Sequence, residues 1–142
     1  MLLALTLWLW WWCQPERQVR RAQARLIHAV ESRDFDALSL LLADDYRDGW
    51  QHDKTFVLEG CREVFGQFAL LDIEREFHGV EISPAGWVLR EKLTLKGFGS
   101  PLALYARDRV NEQREPFAMT WRRRAWNDWV LTSVAHPKME LR

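Results

Sequence analysis

The chain has 142 residues with 20 basic and 20 acidic side chains, so its formal charge is zero and no global basic field recommends a nucleic-acid partner. That length is enough for one domain with a core of its own. Its two cysteines, Cys13 and Cys61, supply neither a disulfide framework nor a metal knuckle, and no metal site or cofactor is expected.

Residues 1–13 stand apart. Met1 to Trp12 carries no charged side chain and holds four tryptophans, Trp8, Trp10, Trp11 and Trp12. As a helix this stretch reaches only ~20 Å, against a hydrocarbon core of ~30 Å. It lacks the basic start and the small-residue cleavage site of a signal peptide. Cys13 follows a tryptophan, not the small residue that lipid attachment favours. Tryptophan prefers the membrane–water interface. The segment is therefore expected to anchor the protein at a membrane, with upstream residues lost if the start is misplaced. A disordered apolar tail or a helix packed on a partner is the alternative. The cluster Arg17, Arg20, Arg21 and Arg25 points to the cytoplasm by the positive-inside rule, but lost upstream charges would reverse that, so the side is left open.

Residues 14–142 read as a single domain. Pro15 restarts a helix. Val19, Ala22, Leu26, Ala29 and Val30 recur at helical spacing up to Ser32, with Arg and Gln placed opposite. Asp34 caps a shorter helix through Phe35, Leu38, Leu41 and Leu42, ended by Asp44-Asp45. Tyr46 to Trp50 and Lys54 to Leu58 are expected as a small hairpin around Gln51-His52-Asp53. Glu59 to Leu71 returns to helical period through Cys61, Val64, Phe65, Phe68 and Leu71.

Strands follow. Ile73 to Ser83 shifts phase at Gly79, which predicts a bulge. Pro84-Ala85-Gly86 is a turn. From Trp87 to Lys96 apolar and polar residues alternate with period two, save for Glu91 on the apolar side. Gly97 to Glu115 is too long for a bare loop; Ser100-Pro101 predicts a short helix through Leu104 and Tyr105, the rest lying over the domain as a flap. Pro116 to Arg124 and Trp129 to Pro137 form a closing hairpin through Asn127-Asp128. Helices gathered early and strands late predict an α+β domain, three helices packed on one face of a curved antiparallel sheet.

Three segments carry a resemblance: Ala29-Val30-Glu31-Ser32-Arg33-Asp34-Phe35-Asp36-Ala37-Leu38, then Leu42-Ala43-Asp44-Asp45-Tyr46, then the Pro116-Phe117…Trp121-Arg122-Arg123…Trp129-Val130-Leu131 ending. From Pro15 to Pro137 the chain resembles the nuclear transport factor 2-like superfamily, which includes SnoaL-like polyketide cyclases, ketosteroid isomerases and scytalone dehydratases. The resemblance implies a cone with an internal pocket and a homodimer formed through the sheet. It supplies no reaction. Counted without gaps, the isomerase base falls on Trp50, its oxyanion tyrosine on Leu26 and the assisting aspartic acid on Met119. None can serve as base or oxyanion donor, which argues against isomerisation.

Candidate sites remain. Glu91, on a face lining the cone, would enter low dielectric, with Arg123 as its partner on the Phe117–Met119–Trp121 face. Such a pair moves a proton or orients a ligand; it is also what a structural salt bridge looks like. His52 and Asp53 read as a base and its orienter, near Asp44, Asp45 and Asp48. Neighbours in a turn seldom face one another, so a surface turn is favoured. Tyr46, Trp50, Tyr105, Met119, Trp121, Arg123 and Trp129 are candidates to line a ligand pocket or to fill the core. The sequence thus favours a membrane-tethered domain that binds a small apolar ligand or a protein partner. An acid–base enzyme using Glu91, or His52 with Asp53, is the alternative.

Overall fold

The computed structural model describes residues 1–139. It contains α1 (Leu2–Trp12), α2 (Pro15–Glu31), α3 (Phe35–Leu41), α4 (Lys54–Phe65), β1 (Phe68–Ser83), β2 (Gly86–Gly99), α5 (Pro101–Asn111), β3 (Phe117–Ala125) and β4 (Asp128–Ala135). The strands form one antiparallel meander in the order β1-β2-β3-β4. The expected α+β architecture is what the chain adopts.

Local chemistry sets the helix starts. Pro15 occupies the first turn of α2, where its missing N–H costs nothing. Asp34 caps α3, its Oδ1 accepting from the Ala37 N–H at 3.1 Å. Asp53 does the same for α4, accepting from Phe56 N–H at 2.9 Å. The hairpin expected at Tyr46–Leu58 is therefore a loop followed by a helix. One continuous stripe, Val57, Leu58, Cys61, Val64 and Phe65, runs from Lys54 onward against the neighbouring core.

Residues 68–71 are strand, not helix. A register shift between Phe68 and Leu70 puts Phe68, Leu71 and Ile73 on the buried side, and that spacing imitates a helical repeat. The second shift, between Phe77 and Gly79, lies where the sequence predicts it, with Gly79 at φ +120°.

α5 is longer than the short helix expected and covers the inner side of β2 beyond the end of β3. Ser100 caps it. The Asn111 carboxamide accepts from Leu95 N–H at 2.7 Å and donates to Leu95 O at 2.9 Å, standing in for a strand neighbour.

The core lies between the sheet and α2 to α4. Its main cluster joins Val19, Ala22 and Leu26 of α2 to Leu89, Met119, Trp121, Trp129 and Leu131 of the sheet. A second, around Ile27, Phe68, Ile73, Leu95 and Ala103, sits beneath α5. α1 joins neither and buries no residue.

Candidate functional site

Glu91 is 1% exposed in the middle of β2, opposite Phe77 on β1 and Phe117 on β3. Its partner is Arg75, not Arg123. Arg75 donates from Nε to Oε1 at 3.0 Å and from its terminal nitrogen to Oε2 at 2.9 Å. The register explains the choice. Arg75 pairs with Leu93, so it is the diagonal neighbour of Glu91 on the same face. Arg123 lies six residues along β3 from the Phe117 that faces Glu91, ~20 Å away at strand spacing.

The interior continues the network. Gln23 Nε2 donates to Glu91 Oε1 at 3.2 Å and also points at Met119 Sδ, 2.7 Å away. Gln23 Oε1 accepts the Trp121 indole N–H at 3.0 Å. One turn earlier on α2, Gln18 Oε1 accepts the Trp129 indole N–H at 2.8 Å and an Arg123 N–H at 3.3 Å, while its amide donates to Cys13 O at 3.3 Å. Arg123 also lies over the Trp129 ring, 5.0 Å from its centroid. Each buried polar group in this chain of contacts has a partner, as low dielectric demands. Gln18 and Gln23 are fully buried, which corrects the expected placement of the glutamines opposite the apolar stripe of α2. Their spacing against Val19, Ala22 and Leu26 was the available signal: a Gln inside an apolar stripe is a core hydrogen-bonder.

His52 and Asp53 do not form a base and orienter. The Asp53 carboxylate is spent on the cap of α4. The His52 ring stacks on Phe56 with centroids 4.1 Å apart, and its Nδ1 lies 3.6 Å from Asp48 Oδ2. Asp48 organises this loop, with Oδ1 accepting from the N–H groups of Trp50 and His52 at 2.9 Å each. The Tyr46 hydroxyl lies 3.5 Å from Asp48 Oδ2. Burial, and then the charge of Asp48, push the Tyr46 phenol well above its ordinary value, so it stays neutral.

The remaining pocket candidates divide. Tyr46, Met119, Trp121 and Trp129 are buried in the main core. Trp50 is half-buried and donates its indole N–H to Met139 O at 2.7 Å. Tyr105 is 63% exposed on α5 and lines no interior. Trp121, Arg123 and Trp129 line one small cavity, and Tyr46, Trp50, Tyr105 and Met119 are not among its lining residues. This cavity of about 250 Å³ opens at the surface beside Pro15, Trp87, Trp121, Arg122, Arg123 and Trp129. A groove of about 680 Å³ runs between α2, α3 and the β3–β4 turn, past Arg25, His28, Leu40, Leu41 and Asn127. Neither is lined by Glu91, Gln23 or Arg75.

No protein-family model matches the sequence, and no curated protein matches it either. Solved structures do. An NTF2-like protein from Cytophaga hutchinsonii superposes with a TM-score of 0.63 at 15% identity, over 85% of this chain and 95% of that one. A conserved protein from Planctomyces limnophilus gives 0.60 at 20% identity, over 83% and 91%. A Streptomyces avermitilis protein, provisionally named a dehydratase of the NTF2-like family, gives 0.56 at 18% identity, over 84% and 91%. Likeness at these identities is likeness of architecture. The helices of residues 15–65 laid on a curved four-stranded meander, matched over most of the chain by such structures, give this protein the nuclear transport factor 2-like fold.

Proposed function

We propose that this chain is a non-catalytic nuclear transport factor 2-like domain, held at a membrane surface by α1 and acting through its exterior on a protein partner. The observation that carries this reading is the occupied interior. The carboxylate best placed for acid–base chemistry is sealed from solvent, and both its oxygens are bound by Arg75 and Gln23. Leu89 and Trp121, each fully buried, fill the space beside it. A general base must reach the proton it removes, and an apolar ligand needs room. Pairing of two copies through the outer face of the sheet fits the same reading.

The membrane half rests on α1. No helix among the described residues is long and apolar enough to cross a membrane. The eleven residues of α1 cover ~16 Å, about half of a hydrocarbon core. The helix is apolar on every side and entirely exposed, the pattern of a segment that wants apolar surroundings all round. Its residues are also graded along the axis. Leu2, Leu3, Leu5 and Leu7 lie toward the far end, Trp8 and Trp10 to Trp12 lie in the half nearer the domain with Leu9 between them, and arginines follow from Arg17. That is the order of hydrocarbon, interface and headgroups through one leaflet.

Native mass spectrometry of the Leu5→Asp/Leu9→Asp protein tests the filled interior. Both leucines are at least half exposed, so the domain is untouched. The expected species is the bare chain, alone or paired. A stoichiometric small molecule carried through purification would contradict the reading.

A further inference from the structure

Four arginines, Arg17, Arg20, Arg21 and Arg25, follow α1 on the first turns of α2, and none of them is in an ion pair among the described residues. Other arginines here are answered by acids: Arg75 by Glu91, Arg122 by Asp45, Arg124 by Asp128. Arg17, Arg21 and Arg25 stand at i, i+4 and i+8, where like charges repel along one helical face. Desolvation, and then Arg25 and Arg17, hold Arg21 below its ordinary value, although a guanidinium stays charged throughout. Glu16 is the sole acid between Gln14 and Val30; it is exposed and takes none of these charges.

Three of these arginines, Arg17, Arg20 and Arg21, are nonetheless held in place. The Arg17 guanidinium lies over the Trp11 ring at 3.4 Å and the Arg21 guanidinium over Trp12 at 4.0 Å. Arg21 also donates to Trp12 O at 2.9 Å, and Arg17 donates from Nε to Gln14 Oε1 at 3.4 Å. Arg20 stacks on Phe77 of β1 at 4.1 Å. Stacking on a ring fixes the plane of a guanidinium while leaving in-plane N–H groups free to take two oxygens at once. The result is a pair of oriented cations, Arg17 and Arg21, at the level where the tryptophans of α1 end, with Arg20 and Arg25 beside them on α2 and none of the four in an ion pair among the described residues.

We propose that this arginine collar binds the phosphates of anionic phospholipids, so that the tether selects negatively charged bilayers and docks α2 against them. This rests on the membrane reading of α1. Apolar insertion supplies affinity for any bilayer. The collar supplies the choice, because each arginine near an anionic surface strengthens binding and the effect is screened by salt.

Co-sedimentation of the full chain with two kinds of vesicle tests it. One is phosphatidylcholine alone, and the other is equal parts phosphatidylcholine and phosphatidylglycerol. The expected result is binding to both, about tenfold or more tighter to the anionic vesicles. Raised salt should erase the difference. Arg17→Gln/Arg21→Gln should lose most of the preference and keep the phosphatidylcholine binding. Arg17→Lys/Arg21→Lys, which retains charge without the planar fork, should fall between. Soluble glycerophosphate at equal phosphate concentration should displace nothing. Equal affinity for the two vesicles, or a preference that survives Arg17→Gln/Arg21→Gln, overturns the collar while leaving the tether standing. Displacement by glycerophosphate reassigns the cations to a soluble anion and also overturns it. Binding to neither vesicle removes the tether and the collar together.

Discussion

Glu91 and the two glutamines of α2 carry the heaviest polar load in the molecule. A carboxylate at 1% exposure survives only because Arg75 and Gln23 answer both oxygens. Removing one partner therefore costs more than replacing the pair. Arg75→Met should destabilise the fold by ~2 kcal/mol in urea titration, at the low side of buried-pair values because the Arg75 side chain is 31% exposed. Glu91→Gln, which keeps shape and removes charge, should cost about 1 kcal/mol. Equal and negligible losses would mean the pair is solvated.

Cys61 gives a second test at this scale. Burial raises its thiol from 9.0 to about 11. The unfolded thiol ionises first, so between those values the folded state holds more protons, and stability falls as pH rises. Below pH 9 the contribution is fully present. Thermal unfolding should show a decline of up to about 2 kcal/mol across that window, shallower in Cys61→Ala. Tyr46, raised by burial and Asp48, adds to the decline above pH 10. Single residues were the least legible level in the sequence. Glu91 stood out as a charge on an apolar face, but Arg75 could be found only through the diagonal register, which the bulge at Gly79 conceals.

At the level of elements, capping and turn chemistry decide the boundaries. Asp53 was read as a turn residue or as the orienter of His52, and it is instead the cap of α4, where the stripe from Val57 to Phe65 needs a start. Asp53→Ala should cost ~1 kcal/mol, read by urea denaturation and by loss of helical circular dichroism. Gly86 opens β2 at φ +138°, and a Cβ there would run into the Trp121 carbonyl oxygen. Gly86→Ala should therefore destabilise by more than a simple loss of glycine freedom, ~2 kcal/mol or above. The period-two run of β2 and the closing hairpin were plain in the sequence. Residues 68–71 were not, since a bulge produces the spacing of a helix.

The whole molecule divides its labour between a sealed interior and an apolar helix that faces outward. Element order made the nuclear transport factor 2-like fold legible before any coordinate. The filling of the cone was not, because Trp121 and Gln23 occupy its space through contacts 98 residues apart in sequence. The most direct test is one spectrum: the indole N–H signals of the nine tryptophans, free and with phosphatidylglycerol nanodiscs. The signals of Trp8, Trp10, Trp11 and Trp12 should shift on the nanodiscs, while those of Trp121 and Trp129, bonded to Gln23 and Gln18, should hold position and exchange slowly with deuterium. Rapid exchange at Trp121 and Trp129, with the four N-terminal signals unmoved, would contradict both the closed interior and the membrane-facing helix.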